Sequence, residues 1–485
     1  MSRPDGGGGF RCAPARASAF ASRGMVATSQ ASSTLAGLRM LEQGGNAVDA
    51  AIAAAAVLGV TEPMSTGLGG DVFAIIHREG RVVGLDAAGP APVRIQGPEV
   101  PVSGPNSVTV PGAVAGWAAL AERFGRVGLD TCLQSAIDIA QRGFAVGPRT
   151  ARYWAEAEWP PEALMPAPSA GAMVRFPDQA ATLRAIAEEG PGAFYDGHVG
   201  AQIAAASWLS ESDLAGYAPR WTRPLDHAFR GLRVLELPPP SQGVAALLAL
   251  AIVERLGDTV ADQVRAVSLA LEEAFAHVRD GAGVGFLLTE EHVRARALAA
   301  PGHGTELGGG TVYLCVVDED RMAVSFMQSL FLPFGSGVLV PGTGIVLNNR
   351  AACFAVGGRV EPGQRPYHTL MPGLLTALDG SLVGPFGVMG GFIQAQANAQ
   401  FVIAALHEEL DPQAALDRGR FRVDGGDVHL EPPLWDEART LEALGFRPIP
   451  SHDISSFGGG QAIFVRGDAL VAGSDARKDG WAAGI

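Results

Sequence analysis

The stretch Gly308-Gly309-Gly310-Thr311-Val312-Tyr313-Leu314-Cys315-Val316-Val317 is the most informative part of this 485-residue sequence. A run of glycines leads directly into a threonine, and an apolar, strand-like segment begins there. Without side chains before it, the Thr311 hydroxyl could swing back onto the preceding carbonyl, and cleavage would give Thr311 a free α-amine beside that hydroxyl. The same residues also fit a glycine-rich loop that enters an ordinary strand, so both interpretations stay open at this point.

Composition favours a folded enzyme that acts on small molecules. Hydrophobic residues make up 47% of the chain and charged residues 18%, which can supply a sizeable core. The formal net charge of -14 argues against a nucleic-acid partner, whose phosphates need a basic face. Length alone allows about three average domains or one large layered domain.

The cysteines and the apolar segments give further expectations. The four cysteines (Cys12, Cys132, Cys315 and Cys353) show no CxxC pair or zinc spacing, so we expect reduced thiols, no metal and no cofactor. The first 23 residues lack the apolar stretch of a signal peptide, and we expect them to form a disordered tail. The longest apolar runs are too short to span a bilayer, so we predict a cytoplasmic protein without a membrane partner.

Hydrophobic periodicity predicts helices in the first half of the chain and strands in the second. A break at Gly44-Gly45-Asn46 should separate two helices, with Asn46 as an N-cap, and Glu79-Gly80 should form the turn of a hairpin. Strands next to helix pairs indicate sheets stacked between helical layers in one packed domain. The other predicted helices are residues 113–123, 130–143, 181–189, 244–256, 261–278, 394–406 and 412–418, and the predicted strands include 311–317, 322–328, 345–348, 372–378 and 382–388.

Ser329 is the first candidate partner for Thr311. It follows Thr311 by 18 residues, and a hairpin that turns at residues 318–321 would bring its hydroxyl back to the start of the strand. There it could hydrogen-bond the threonine and assist proton transfer. The alternative is a solvated serine at a strand end.

A second candidate is the segment Gly387-Val388-Met389-Gly390-Gly391-Phe392, between an apolar strand and a helical stretch. Paired glycines let backbone N–H groups approach a substrate and point at a developing oxyanion. A plain strand-to-helix turn would explain the same residues. Two polar segments beside apolar strands, Asn348-Asn349-Arg350 and Arg365-Pro366-Tyr367-His368-Thr369, could line a pocket.

Other glycine motifs do not predict a known site. Gly67-Leu68-Gly69-Gly70-Asp71 is not a dinucleotide fingerprint and lies between a helix and a strand, which is the wrong order. The chain contains no Walker lysine, no H-E-x-x-H and no G-x-S-x-G sequence.

Ordered motifs cover the chain from about residue 24 to its end, and together they resemble the γ-glutamyltransferase family of N-terminal-nucleophile hydrolases. The motifs that carry the resemblance are Gly44-Gly45-Asn46-Ala47-Val48-Asp49-Ala50-Ala51, Gly67-Leu68-Gly69-Gly70, Val110-Pro111-Gly112, Pro239-Pro240-Ser241, Thr311 with Val317-Asp318, Phe334-Gly335-Ser336-Gly337, Gly344-Ile345-Val346-Leu347-Asn348-Asn349, Arg365-Pro366 and Gly390-Gly391.

The resemblance implies an α/β fold of the αββα four-layer sandwich type and self-cleavage between Gly310 and Thr311. It further implies a large subunit (residues 24–310) and a small subunit (311–485) that pair as one structural domain. Thr311 would then be nucleophile and base, Ser329 a supporting hydroxyl, and Gly390 and Gly391 the oxyanion-hole residues.

The sequence departs from the family at the positions that bind the glutamyl group of the substrate in the family. No arginine stands in Asp86-Ala87-Ala88-Gly89-Pro90-Ala91-Pro92, and Cys353 stands where the family has an aspartate that holds the substrate amine. Phe331 replaces a pocket asparagine, His368-Thr369 replaces a serine pair, and Phe392 replaces an aspartate of acylase-like relatives. We therefore expect a remodelled pocket formed by Phe331, Asn349, Arg350, Cys353, His368, Thr369 and Phe392, with Arg350 as partner for an acidic substrate group.

These expectations lead to one main hypothesis and three alternatives. The main hypothesis is a threonine-dependent amidase or acylase that forms an acyl-enzyme with a small-molecule substrate other than glutathione. One alternative is a C–C hydrolase that releases an oxalyl-type fragment, as relatives in actinomycete alkylproline and antibiotic biosynthesis do. The others are an ordinary γ-glutamyltransferase or glutathione hydrolase, and an unprocessed, inactive scaffold or binding protein.

Overall fold

The computed structural model describes residues 16–95, 100–300, 309–357 and 360–485. Gly308 of the glycine run, Cys12 and most of the predicted tail lie outside these residues. Strands and helices are numbered below in chain order.

The predicted glycine–threonine strand lies in the middle of an antiparallel sheet. Gly310–Val317 forms β10 and pairs with β11 (Ala323–Phe331) in a hairpin. We call this the first sheet, and its seven strands in spatial order are β21 (Trp481–Gly484), β2 (Met25–Thr28), β10, β11, β3 (Asp71–Arg78), β4 (Arg81–Ala87) and β7 (Arg220–Thr222).

A second antiparallel sheet packs face to face against the first. Its seven strands in spatial order are β1 (Ala19–Ala21), β20 (Ala469–Ser474), β19 (Gly459–Arg466), β15 (Leu382–Met389), β14 (Gly373–Ala377), β9 (Leu232–Glu236) and β8 (Leu225–Phe229). Both sheets combine strands from before and after Thr311, so the two halves of the chain form one packed unit. The small ribbons are β5 (Phe144–Ala145) with β6 (Met173–Val174), β12 (Leu339–Val340) with β13 (Ile345–Val346), and β16 (Phe421–Asp424), β17 (Asp427–Leu430) and β18 (Arg447–Pro450).

Helices cover the outer face of each sheet. Hydrophobic residues of α1, α2, α3, α4 and α6 share a core with the first sheet, and those of α10, α11 and α14 share one with the second. This four-layer αββα sandwich confirms the expected fold class. The helices are α1 (Ala31–Glu42), α2 (Ala47–Thr61), α3 (Ala113–Phe124), α4 (Leu129–Arg142), α5 (Pro148–Ala155), α6 (Pro177–Glu189), α7 (Gly192–Tyr195), α8 (His198–Ala206), α9 (Glu211–Ala215), α10 (Gly243–Leu256), α11 (Val260–His277), α12 (Glu290–Ala297), α13 (Phe354–Gly357), α14 (Ile393–Leu406), α15 (Pro412–Asp417) and α16 (Ala438–Ala443).

The side chains of β10 explain why its sequence is apolar without interruption. Val312, Leu314 and Val316 pack on the helical side, whereas Tyr313 and Cys315 face the second sheet. Successive residues of a strand point to opposite faces, and here both faces are covered. A strand in this position has no solvated face, so polar alternation is absent.

The local signals of the first half are found where the sequence predicts them. The Asn46 side chain accepts hydrogen bonds from the N–H groups of Val48 and Asp49, and Asp49 accepts from Asn46 N–H in return, which completes a capping box. Glu79 and Gly80 both have positive φ (52° and 74°) and connect β3 to β4.

Part of the predicted N-terminal tail is ordered. Residues 19–21 form β1, which pairs with β20 through Ala19–Ala472, Phe20–Val471 and Ala21–Leu470. Backbone hydrogen bonds to this edge order a segment whose composition alone predicts disorder, so the prediction is wrong for these residues.

We expect Gly387→Ala to destabilise the contact between the two sheets. A Cβ on Gly387 would lie 2.6 to 2.9 Å from three ring carbons of Tyr313, whose hydroxyl is held 2.9 Å from Ser325 Oγ. Overpacking of this kind lowers the free energy of unfolding by about 1–3 kcal/mol. Urea unfolding measures the change.

Gly283→Ala is the matched control, because Gly283 is exposed and a Cβ there meets nothing within 4 Å. Equal unfolding midpoints for the two variants would contradict the proposed clash at Gly387.

Candidate active site

Thr311 lies at an irregularity of the central hairpin. Gly310 pairs with Phe331 and Val312 with Gln328, so Thr311 alone lies opposite both Ser329 and Leu330. Such a bulge bends the strand and re-aims side chains. Phe331, where the bulged strand ends, has a φ of 83°, a strained conformation for a residue with a large side chain. Thr311 itself is 1% exposed.

The Thr311 and Ser329 hydroxyls meet at the carbonyl that precedes Thr311. Thr311 Oγ1 lies 2.7 Å from Gly310 O and 3.2 Å from Ser329 Oγ. Ser329 Oγ donates to Gly310 O at 2.6 Å and accepts from Phe331 N–H at 2.8 Å. The geometry therefore places two hydroxyls at the same carbonyl, with one of them polarised by a backbone N–H.

The paired glycines lie directly against this junction. Gly390 and Gly391 connect β15 to α14 with φ values of 130° and 70°, which favour glycine. A Cβ on Gly309 would lie 2.7 Å from Gly391 Cα, so the chain before Thr311 passes in close contact with the glycine turn. Any side chain at Gly309 would force the two segments apart.

The sequence analysis missed Gln394, on the first turn of α14. The orientation of its fully buried amide that satisfies all neighbours directs Nε2 to Thr369 O at 2.9 Å. Its oxygen then accepts from Gly391 N–H at 3.1 Å and lies 3.3 Å from Thr311 Oγ1. The only sequence signal was the recurrence of polar residues (Gln394, Gln396 and Asn398) in an otherwise apolar helix.

The sequence analysis also missed Asp71, the first residue of β3. It is the register partner of Ser329 and is fully buried. Its Oδ2 lies 3.5 Å from Arg350 Nε and accepts from His368 Nε2 at 3.1 Å, while Oδ1 accepts from Gly89 N–H at 3.1 Å. The aspartate thus joins two predicted pocket residues into one cluster.

Arg350 connects this cluster to the hydroxyls. It begins a short 3-10 turn (Arg350–Cys353), and its guanidinium donates to Ser329 Oγ at 3.2 Å and to Thr369 Oγ1 at 3.0 Å. The Cys353 thiol lies 3.7 Å from it, and the Phe331 ring lies 4.6 Å from the guanidinium carbon. Because Arg350 is completely buried, its contacts in this structure are internal.

Burial and charge set the protonation states of the cluster. Burial raises the pKa of Asp71 to about 6, and the nearby Arg350 guanidinium opposes that rise. The pKa of His368 falls well below its usual value, because burial and the same guanidinium disfavour the imidazolium. His368 Nδ1 accepts from Leu370 N–H at 3.2 Å, so Nε2 carries the proton. At neutral pH the cluster is an ionised Asp71–Arg350 pair with a neutral histidine.

A cavity of about 580 Å³ opens beside the junction. Gly309, Gly390 and Phe392 line its inner end, and Phe392 stacks on Tyr367 with ring centres 5.7 Å apart. The other predicted pocket residues (Phe331, Asn349, Arg350, Cys353, His368 and Thr369) are buried and are not among the residues that line this cavity. Its outer wall comes from β16 and from the segments around Glu158 and Ser455.

Within the part of the chain that the structure describes, no cluster of three or more His, Cys, Asp or Glu could hold a metal ion. The same residues include no helix with the length and hydrophobicity needed to cross a membrane. Cys132, Cys315 and Cys353 are free, buried thiols.

An αββα sandwich with a buried threonine, Thr311, at the second position of β10 and paired glycines beside it is the architecture of an N-terminal-nucleophile hydrolase. The family model described as "Gamma-glutamyltranspeptidase" matches residues 33–485. The chain belongs to the gamma-glutamyltranspeptidase family and is an enzyme of the amide-hydrolysing type.

Three similar proteins illustrate the relationship. The glutathione hydrolase-like YwrD proenzyme of Bacillus subtilis is 31% identical over 96% of this chain and 99% of its own length. The oxamate amidohydrolase proenzyme of Klebsiella pneumoniae is 31% identical over 92% of this chain and 96% of its own. The crystal structure of cephalosporin acylase from Bacillus halodurans matches with a TM-score of 0.92 and 37% identity, covering 100% of this chain and 99% of that one.

The buried Asp71–Arg350 pair predicts unequal costs for removing its two members. Asp71→Asn leaves a guanidinium that cannot lose its proton, so we expect a loss of about 3–5 kcal/mol in the free energy of unfolding. Arg350→Met should cost less, because Asp71, with a pKa already near 6, takes up a proton when the cation is gone.

Urea unfolding at neutral pH tests this asymmetry with both variants and their double mutant. The double mutant should recover part of the Asp71→Asn loss. A larger cost for Arg350→Met than for Asp71→Asn would refute this account of the cluster.

Proposed function

We propose that the protein is a self-processing amidohydrolase that cleaves itself between Gly310 and Thr311 and then uses Thr311 as its nucleophile. The observation that carries this proposal is the convergence of Thr311 Oγ1 and Ser329 Oγ on Gly310 O, at 2.7 and 2.6 Å. The site lies at the start of the central strand in a family that includes relatives named as proenzymes.

In the proposed self-cleavage, Thr311 Oγ1 attacks the carbonyl carbon of Gly310. Negative charge develops on Gly310 O, where Ser329 Oγ already donates. Arg350 and Phe331 N–H in turn donate to Ser329 Oγ, which strengthens it as a donor. The C–N bond breaks, the hydroxyl proton ends on the Thr311 nitrogen, and water hydrolyses the resulting ester to give a Gly310 carboxylate.

The freed α-amine of Thr311 then acts as base for its own hydroxyl. Once the Gly309–Gly310 segment leaves the glycine turn, a substrate carbonyl can take its place against Gly390 and Gly391. Their backbone N–H groups would stabilise the tetrahedral oxyanion, and the acyl group passes to Thr311 before water releases it. The residues 24–310 and 311–485 stay together because their strands share both sheets.

Several contacts support a substrate other than glutathione. In the segment that lacks the family arginine, Asp86 is buried and pairs with Arg365 at 3.2 Å, so it faces inward. Cys353 lies against Arg350 in place of a substrate-binding acid. A glutamyl head group would therefore lose charge-assisted hydrogen bonds worth about 1.5–3 kcal/mol each. The similarity to an oxamate amidohydrolase and to a cephalosporin acylase supports hydrolysis of other amides.

Thr311→Ala should leave a single intact chain without hydrolytic activity, because it removes the attacking hydroxyl in both proposed reactions. The wild-type protein should separate into two bands on a denaturing gel, with the smaller fragment beginning at Thr311. Edman sequencing or intact mass identifies that terminus. An intact wild-type chain that still hydrolyses amides would rule out this mechanism.

The processed enzyme should hydrolyse γ-glutamyl para-nitroanilide no better than glutaryl para-nitroanilide, which has the same acyl chain without the α-amine. The reason is that Cys353 stands in place of the acid that would hold the glutamyl amine. A competition assay, with each kcat/KM measured from the release of nitroaniline, checks the order. Strong preference for the glutamyl compound would contradict the proposed substrate class.

A further inference from the structure

One wall of the cavity, formed by β16, is held by hydrogen bonds to α14. Gln396, one turn into α14, donates from Nε2 to Val423 O at 3.0 Å and accepts from Val423 N–H at 2.7 Å. Val423 lies in the middle of β16, and Gln394, two residues before Gln396, contacts Thr311. The two hydrogen bonds therefore hold β16 at a set position relative to the reacting hydroxyl.

The residues on either side of Val423 face the cavity. Phe421 and Val423 are buried and Arg422 and Asp424 are half-buried, as alternation along a strand requires, and Arg422, Val423 and Asp424 all line the cavity. Arg422 donates from a terminal nitrogen to Asp424 Oδ2 at 3.0 Å. Its Nε is buried and has no hydrogen-bond partner among the described residues.

The other charged residues of the lining are three carboxylates, Glu156, Glu158 and Asp424. Among the described residues that line the cavity, Arg422 is the one with a cationic side chain. Glu156 is paired with Arg152 at 2.6 Å, and Glu158 is exposed. Arg350, the arginine that the sequence analysis favoured for this role, is enclosed by Asp71, Ser329 and Thr369. The Arg422 side chain is 25% exposed, so its guanidinium can donate a charge-assisted hydrogen bond to a carboxylate.

We propose that Arg422 binds a carboxylate of the substrate and that the enzyme prefers amides carrying such a group at a distance from the scissile bond. This inference rests on the proposed amidohydrolase function. Asp424 holds one terminal nitrogen of the guanidinium, and the carboxylate bonds to the other. A cavity of about 580 Å³, lined by Gly309 and Gly390 as well as by β16, is large enough for a small-molecule substrate. The carboxylate can belong to the acyl part or to the amine part of the amide, and the substrate test separates these two sources.

The test uses two matched pairs of nitroanilides with processed wild-type enzyme. The first pair is glutaryl para-nitroanilide and its methyl ester, in which the charge is on the acyl part. The second pair is butyryl para-nitroanilide and its ring-carboxylated analogue, in which the charge is on the amine part. We expect a higher kcat/KM for the anionic member of one pair, which identifies the side of the amide that reaches Arg422.

Arg422→Gln should reduce that preference by roughly 10- to 100-fold, mainly through KM, because a charge-assisted hydrogen bond is lost. Arg422→Lys should give an intermediate value, since it keeps the charge and loses the planar fork. Arg466→Gln, an exposed arginine at the end of β19 that does not line the cavity, should retain the wild-type preference.

Two results would overturn this subsite while leaving the amidohydrolase function intact. One is equal turnover of both members of each pair by the wild-type enzyme. The other is an equal fall for charged and uncharged substrates in Arg422→Gln and Arg422→Lys. If processed enzyme turned over none of the four compounds, that result would contradict the proposed function itself and the subsite with it.

Discussion

A completely buried arginine needs its counter-charge inside the protein, and this constraint organises the centre of the molecule. Arg350 is met by Asp71 from β3, and its remaining donors reach Ser329 at the end of β11 and Thr369 before β14. A buried ion pair of this kind adds little net stability, because desolvation offsets the Coulombic attraction. The pair instead fixes the position of the Ser329 hydroxyl, which is held between the Arg350 guanidinium, the Phe331 N–H and the Gly310 carbonyl.

The same constraint separates the chemistry of attack from the recognition of substrate. Cys353, His368 and Thr369 stand at positions that the family resemblance assigns to substrate binding, yet they are packed around Arg350. Space for a ligand opens instead between the glycine turn and β16. The hydroxyls of Thr311 and Ser329 and the paired glycines can therefore keep the arrangement that the family resemblance implies. Under the proposed function, residues on a different wall of the cavity then determine which amide binds.

Local signals in the sequence predicted much of the fold. The Asn46 cap, the Glu79-Gly80 turn and the strand after Gly310 depend on neighbouring residues, and each is found where expected. Ser329 could be placed near Thr311 because a single hairpin connects them. β1 could not be predicted, because its order comes from pairing with a strand more than 440 residues away.

The sequence analysis missed some site residues for the same reason, because their roles depend on contacts with residues far away in the chain. Asp71 ends a glycine motif that was considered only as a nucleotide loop, and its role depends on Arg350 and His368, nearly 300 residues later. Arg422 lies in a short strand of a small sheet, where nothing nearby in the sequence marks it. Its importance follows from Gln396, which holds that strand beside the active site. Sequence patterns single out Thr311, the nucleophile that we propose, whereas the residues that surround it are brought there by long-range packing.

The uncleaved junction also sets an order of events for the proposed function. Gly309 lies against Gly391, and the Gly391 N–H is already bonded to the Gln394 oxygen. The Gly310 carbonyl instead receives its hydrogen bond from Ser329. Self-cleavage and substrate hydrolysis would thus draw on different donors around one hydroxyl: Ser329 for the first reaction, and the glycine turn for the second. Because the Gly309–Gly310 segment covers that turn, substrate can reach it only after the chain has been cut and Gln394 has released the N–H.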